Sequence, residues 1–234
     1  MADDIMRALI DAANQGDIFR MNLLLDQGAD INAFYADSTA LGMASASGQA
    51  GAVKVLLERS AEVDAADEIG TTALLWAMLY GLQRAEPGGG VSVARLLLEH
   101  GADANRSAKG GETPLMVAAR EGDVGAIRLL LDYGADVRAA TTRGSTALIE
   151  ASGEHEAARV LMDAGADVNA TGAQGWTPLR FAVHNQDARG VRLYLTAGAD
   201  ANAQDDAGRS LLSLAEEREN PVIVGLLTEA GAKG

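Results

Sequence analysis

The sequence predicts an all-α fold of stacked helix-turn-helix units, and three observations predict it. Gly28, Ser60, Gly101, Gly134, Gly165, Gly198 and Gly231 stand in one register, spaced by 32, 41, 33, 31, 33 and 33 residues, and all but Ser60 and Gly231 open a Gly-Ala-Asp triplet. Within each segment a leucine recurs, as Leu9, Leu41, Leu74, Leu115, Leu148, Leu179 and Leu212, and alanine follows three residues later, from Ala12 to Ala215. A leucine and an alanine three apart share one helix face, and the small side chain lets a neighbouring helix come close. Composition agrees: aromatics at 4% with 27 glycines in 234 residues are thin for one large core but suit short stacked helices.

The register divides the chain into seven units: 1–33, 34–66, 67–106, 107–139, 140–170, 171–203 and 204–234. Each begins with a helix carrying the leucine and alanine. A second helix brings an apolar pair, Leu23-Leu24, Val55-Leu56, Leu96-Leu97, Leu129-Leu130, Val160-Leu161, Leu193-Tyr194 and Leu226-Leu227, to close the core. The connecting segments are rich in Asp, Asn, Gly and Thr, residues that suit tight turns. Asp3-Asp4 precede the first helix, where the macrodipole favours carboxylates, so unit one reads as an amino-terminal cap. Glu216 in the seventh unit replaces the small or apolar residues of its counterparts. A charge there could not be buried against an eighth unit, so 204–234 reads as the closing cap and the chain as complete.

Two units are irregular. The third carries eight extra residues, placed near the stretch 82–90, Leu-Gln-Arg-Ala-Glu-Pro-Gly-Gly-Gly; its proline and glycines disfavour helix, and a mobile loop is expected. The fifth lacks two residues near Ser152-Gly153, which should shorten its first helix.

The clearest unit, Glu112–Ala139, resembles an ankyrin repeat: Thr113-Pro114-Leu115 opens the inner helix, Gly122 ends it, Leu129-Leu130 sit in the outer helix and Gly134-Ala135-Asp136 closes the unit. The resemblance covers essentially the whole chain. It departs from the family after Thr-Pro-Leu, where a histidine is usual and this chain has Ile10, Gly42, Leu75, Met116, Ile149, Arg180 and Ser213. The histidine bonds between repeats should therefore be missing. What the resemblance implies is a solenoid with short hairpins beside the inner helices, and recognition of partner proteins by hairpin tips and the concave inner-helix face. Its groove positions fall here on Tyr35, Glu68, Ile69, Leu79, Tyr80, Lys109, Arg120, Glu121, Arg143, Trp176, His184, Asn185 and Arg209. With aromatics scarce, Tyr35, Tyr80 and Trp176 are the candidate anchors.

Chemistry is hard to assemble from the rest. The absence of cysteine excludes disulfides, thiolate metal sites and cysteine nucleophiles. His100, His155 and His184 share no helix face, so no metal site, cofactor site or catalytic set is expected; His100 and His155 read as water-facing. Gly88-Gly89-Gly90 lacks the Gly-Lys-Ser/Thr of a phosphate loop. Net charge is −14, from 33 acidic and 19 basic residues. Asp30, Asp103, Asp136, Asp167 and Asp200 are turn residues, but the remaining excess disfavours nucleic acid and favours a partner with a basic face. No apolar run reaches membrane-spanning length, and a cytoplasmic monomer is expected. The expected role is a protein-binding scaffold, as an inhibitor or neutraliser of a basic partner. The alternative is an enzyme or enzyme-associated subunit with an unrecognised site.

Overall fold

The computed structural model describes residues 2–82 and 89–233. Among them the secondary structure is helical with no strands, arranged as helix pairs: α1 Ala2–Gln15 with α2 Ile18–Asp26, α3 Ala40–Ala46 with α4 Ala50–Glu58, α5 Ala73–Trp76 with α6 Gly89–Glu99, α7 Pro114–Arg120 with α8 Val124–Asp132, α9 Ala147–Glu150 with α10 His155–Asp163, α11 Pro178–His184 with α12 Ala188–Thr196, and α13 Leu211–Glu217 with α14 Pro221–Glu229. No described helix is long and apolar enough to cross a membrane.

The chain forms two compact units, Met1–Val117 with Arg128–Ala135, and Ala118–Ile127 with Asp136–Gly234. In the first, α1 packs on α2 and α3, α3 on α4 and α5, and α6 on α4 and α5. In the second, α9, α11 and α13 pack in succession, each backed by its own partner among α10, α12 and α14. The recurring leucines and alanines form these layers. Leu9, Leu41, Leu74, Leu115, Leu148 and Leu179 are buried, as are all the alanines from Ala12 to Ala215, while Leu212 on α13 is half-buried.

Threonine fixes the start of the first helix in five of the pairs. The side chains of Thr39, Thr72, Thr113, Thr146 and Thr177 accept the amide of the residue three on, as Ser210 does for α13, satisfying a donor the helix cannot. The ends are fixed by Gly-Ala-Asp. Asp30, Asp103, Asp136, Asp167 and Asp200 each accept the amide two residues on, at 2.8–3.0 Å, which accounts for five carboxylates as turn formers. Two residues beyond each aspartate lies a link that the sequence reading passed over. Asn32 accepts Glu62 N, Asn169 accepts Asp200 N and Asn202 accepts Lys233 N, while Asn105, Asn169 and Asn202 donate to the carbonyls of Gly134, Gly198 and Gly231. Asp64 and Arg138 hold the same position with an acceptor and a donor alone.

The irregular third pair corrects one expectation. α5 continues into a π-helical turn at Ala77–Gly81, and α6 begins at Gly89, so Gly89 and Gly90 are helical rather than helix-breaking. The reason is close approach: a Cβ on Gly90 would lie 2.6 Å from Gly81 C and 2.7 Å from Leu82 N. Of the loop expected to be mobile, at 82–90, residues 83–88 lie outside the described residues. In the fifth pair α9 has four residues against seven in α7.

Candidate functional site

Two surfaces, one in each unit, gather the side chains that the turn chemistry leaves over. In the first unit, residues 35–38 form a tight turn closed by Tyr35 N donating to Ser38 O (3.0 Å) and Ser38 N to Tyr35 O (3.2 Å). Ala36 and Asp37 take left-handed φ of 48° and 62° at its tip, and both Asp37 and the flanking Tyr35 are exposed. In the next hairpin Asp67 accepts the amides of Ile69 (3.0 Å) and Thr71 (2.7 Å). That turn leaves Glu68 exposed and Ile69 58% exposed. Lys109 N, one hairpin further, donates to Ile69 O at 2.7 Å, and the Lys109 side chain is exposed.

Between these two tips lies a pocket of about 300 Å³ lined by Met43, Ile69 and Trp76, with Asp37, Asp67 and Glu68 around it. Gly42 makes room for the indole: a Cβ there would sit 3.2 Å from Trp76 Cδ1 and 2.9 Å from Ser38 Oγ. Trp76 stacks on Tyr80, one turn on, with centroids 5.3 Å apart and planes at 26°. Tyr80 is exposed and Leu79 beside it is half-buried.

In the second unit the short α9 borders an open pocket of about 480 Å³ whose walls include Ile149, Trp176, Phe181 and His184. Trp176 meets Phe181 edge-on at 4.7 Å and His184 at 4.9 Å. Its indole N–H is buried without an acceptor among the described residues. Arg120 pairs with Glu150 at 3.6 Å, and Ser145 Oγ donates to the same carboxylate at 2.6 Å. Asn185 is exposed, as are Glu121 and Arg143.

Arg180 makes a bond the sequence reading missed. At the histidine position of its unit, and only 2% exposed, it donates to Asp205 Oδ2 (2.7 Å) and Arg209 O (3.0 Å), crossing to the next hairpin. Arg209 binds the same oxygen at 2.8 Å. Hydrogen bonds from Arg209, backbone first, together with the Arg180 and Arg209 charges, hold the Asp205 carboxyl below the usual carboxylate range against the opposing effect of burial. Burial pulls the Arg180 guanidinium down from its ordinary value. Burial, and then Arg218, Arg180 and Arg209, lower His184, so its neutral ring accepts a bond from Arg218.

Comparison with known proteins joins these observations. A model of three ankyrin repeats matches residues 9–108 and 82–172, and a single ankyrin-repeat model matches 174–206. The chain belongs to the ankyrin-repeat family. It is 35% identical over 119 residues to "Ankyrin repeat and KH domain-containing protein mask-1" of Caenorhabditis elegans, a match covering 50% of this chain and 4% of that protein. It is 37% identical over 95 residues to "Serine/threonine-protein kinase 12" of Arabidopsis thaliana, covering 40% of this chain and 19% of that one. The chain thus spans a small part of these relatives. The crystal structure of the human ASB11 ankyrin repeat domain superposes with a TM-score of 0.82 over 97% of this chain and 98% of that one, at 24% identity, and shares the fold.

Ankyrin repeats are protein–protein interaction modules, and the fold is a typical non-catalytic scaffold. Within this ankyrin-repeat chain, Glu68 and Ile69 come together with Trp76, and Tyr80 stacks on that indole. Arg120, Trp176, His184 and Asn185 come together in the second unit. Trp176 is half-buried against its own helix, so it shields a hairpin more than it projects. Arg209 is tied to Asp205, and Arg143 makes no side-chain bond among the described residues. The sequence reading also missed Met43, Asp37 and the role of Gly42; the signal available was Gly42 at a position filled by a larger residue in every other unit.

Acid–base groups meet at one notable place. His155, expected to face water, is half-buried, with Nε2 2.6 Å from Asp187 Oδ2. Asp187 also caps α12 through Gly190 N, and no hydroxyl bonds to His155 among the described residues, so the pair fastens α10 to α12 without a nucleophile. His100 does face water, bonded to Leu96 O. No group of three or more His, Asp or Glu suited to a metal occurs among the described residues.

Proposed function

We propose that this ankyrin-repeat chain is a protein-binding scaffold that acts as a monomer on a partner with a basic surface, through its hairpin tips and the exposed sides of the first helices. The observation that carries the reading is the pair of hairpin tips in the first unit. There Tyr35 and Ile69, large apolar side chains on polar turns, stand exposed beside Asp37 and Glu68, neither of which has an ion-pair partner among the described residues. Exposed aromatic and aliphatic groups on a rigid turn supply desolvation energy, and uncompensated carboxylates supply steering toward a cationic surface. The overall charge of −14 adds long-range attraction of the same sign. Inhibition or neutralisation of the partner by occupancy is the mode of action this surface suits.

The test is affinity capture from the native host, mass spectrometry of what is retained, and calorimetry with the purified partner. One stoichiometric partner is expected, bound more weakly as salt rises. Tyr80→Ala or Ile69→Ala should weaken binding by about thirtyfold, roughly 2 kcal/mol, at unchanged melting temperature. Turnover by the purified protein without a stoichiometric partner would overturn the reading.

A further inference from the structure

We propose that the pocket between the 35–38 and 67–71 hairpins receives a single arginine or lysine side chain of the partner; this deepens the scaffold reading and rests on it. At about 300 Å³ the pocket is at the small end of ligand sites, which run from about 300 to 1,000 Å³, and has room for one long side chain. Its chemistry is divided. Met43, Ile69 and Trp76 are apolar, whereas Asp37, Asp67 and Glu68 are acidic. No lysine or arginine lines it, and no ion pair among the described residues neutralises Asp37 or Glu68.

A long cationic side chain matches that division along its length. Its methylenes lie against apolar surface while its head reaches acceptors. A shorter carboxylate would meet three like charges, and a purely apolar side chain would leave the acidic rim unanswered. The shape is held by the fold rather than created by a ligand. Gly42 gives the indole its place, Tyr80 stacks on that indole, and Asp67 is fixed by the amides of Ile69 and Thr71. Only one oxygen of Asp67 makes those turn bonds. The anchor residues of the scaffold reading, Ile69 and Tyr80, would surround this socket without filling it.

The probe is a blocked pentapeptide, acetyl-Gly-Ser-Arg-Gly-Ser-amide, titrated into isotopically labelled full-length protein and followed by amide and indole NMR shifts. Two comparison peptides carry citrulline or glutamate at the centre; citrulline keeps the length and planar head of arginine but lacks its charge. The expected result is shifts concentrated at Met43, Glu68 to Gly70 and the Trp76 indole, with citrulline at least about tenfold weaker and glutamate without effect. In the Asp37→Asn, Glu68→Gln double variant the arginine peptide should lose about tenfold in affinity while the melting temperature holds. Equal shifts from arginine and citrulline, shifts centred elsewhere, or no shift at saturating peptide would overturn the inference. The partner found by capture separates the two readings: if it binds the double variant as tightly as wild type yet loses affinity with Tyr80→Ala, the socket is wrong and the scaffold stands.

Discussion

Substituting Gly90 by alanine tests whether the third helix pair is held by backbone contact. Gly90 is the second residue of α6, and an added Cβ would stand 2.6 Å from Gly81 C, 2.7 Å from Leu82 N and 2.8 Å from Gly81 O. All three are backbone atoms, so no rotamer change relieves the overlap; α6 or the π-helical turn must move. Overpacking of this kind costs about 1–3 kcal/mol, and rigid neighbours place it at the upper end. Alanine recovers up to about 1 kcal/mol of helix propensity, less near a helix start. A net loss of about 2 kcal/mol results, or roughly 4–8 °C in melting temperature for a chain of this size. Gly225, inside α14 with no atom within 4 Å of an added Cβ, is the control. There the same substitution should stabilise by up to about 1 kcal/mol. Urea unfolding followed by circular dichroism on both variants measures the contrast. If Gly90→Ala matches Gly225→Ala in sign, the glycines after residue 88 are not there for close packing, and the argument fails.

Three further outcomes follow from the second unit. His184, lowered by burial and by Arg218, Arg180 and Arg209, should titrate by NMR below the ordinary ~6.5, and Arg218→Ala should raise its midpoint. Its neutral form is the one the fold favours, so its contribution to stability is lost as pH falls from ~6.5 through the folded-state value. Asp205 is held down by Arg209 and Arg180, so its contribution is present above ~3.9 and lost as pH falls through its lower folded value; Asp205→Asn should lower the melting temperature at pH 7 and flatten the acid limb of a stability–pH curve. Tyr194, pushed up to about 12 by burial first and then by Asp187, should stay un-ionised in a 295 nm titration until the protein unfolds. Its contribution is present below ~10 and lost as pH rises toward the folded value.

The periodic part of the fold was legible because burial here is a matter of register. A leucine, an alanine and a Gly-Ala-Asp turn recur where local geometry alone decides which face is covered, so Leu115 and Ala118 or Leu179 and Ala182 could be assigned without knowing any neighbour. What escaped depends on pairs distant in sequence. Arg180 reads as a departure from the family pattern until Asp205 and the Arg209 carbonyl are seen opposite it. Gly89 and Gly90 read as helix breakers because propensity counts a missing side chain as a loss and cannot see the Gly81 backbone occupying its place. The socket floor is similar: nothing local to Trp76 marks it as a pocket wall, and Gly42 on another helix leaves room for the indole. Conversely, Trp176 was legible as large, but its half-buried setting depends on Phe181 and His184, five and eight residues on, which hold it against its own helix.

The asparagine links at the closing turns make amide exchange report on the wrong address. The acceptor for the Asp200 amide is Asn169, and the acceptor for the Lys233 amide is Asn202, so each proton is guarded by the preceding pair. Opening the 165–169 turn therefore exposes Asp200 N before α11 or α12 has moved, whereas opening of 198–202 leaves the Asn169 amide bonded to Asp167. Protection is thus inherited in one direction along the chain. A hydrogen-exchange map of this protein would show each closing turn wearing the stability of its predecessor, and would place a fraying event one repeat too far toward the carboxyl terminus unless the asparagines were taken into account.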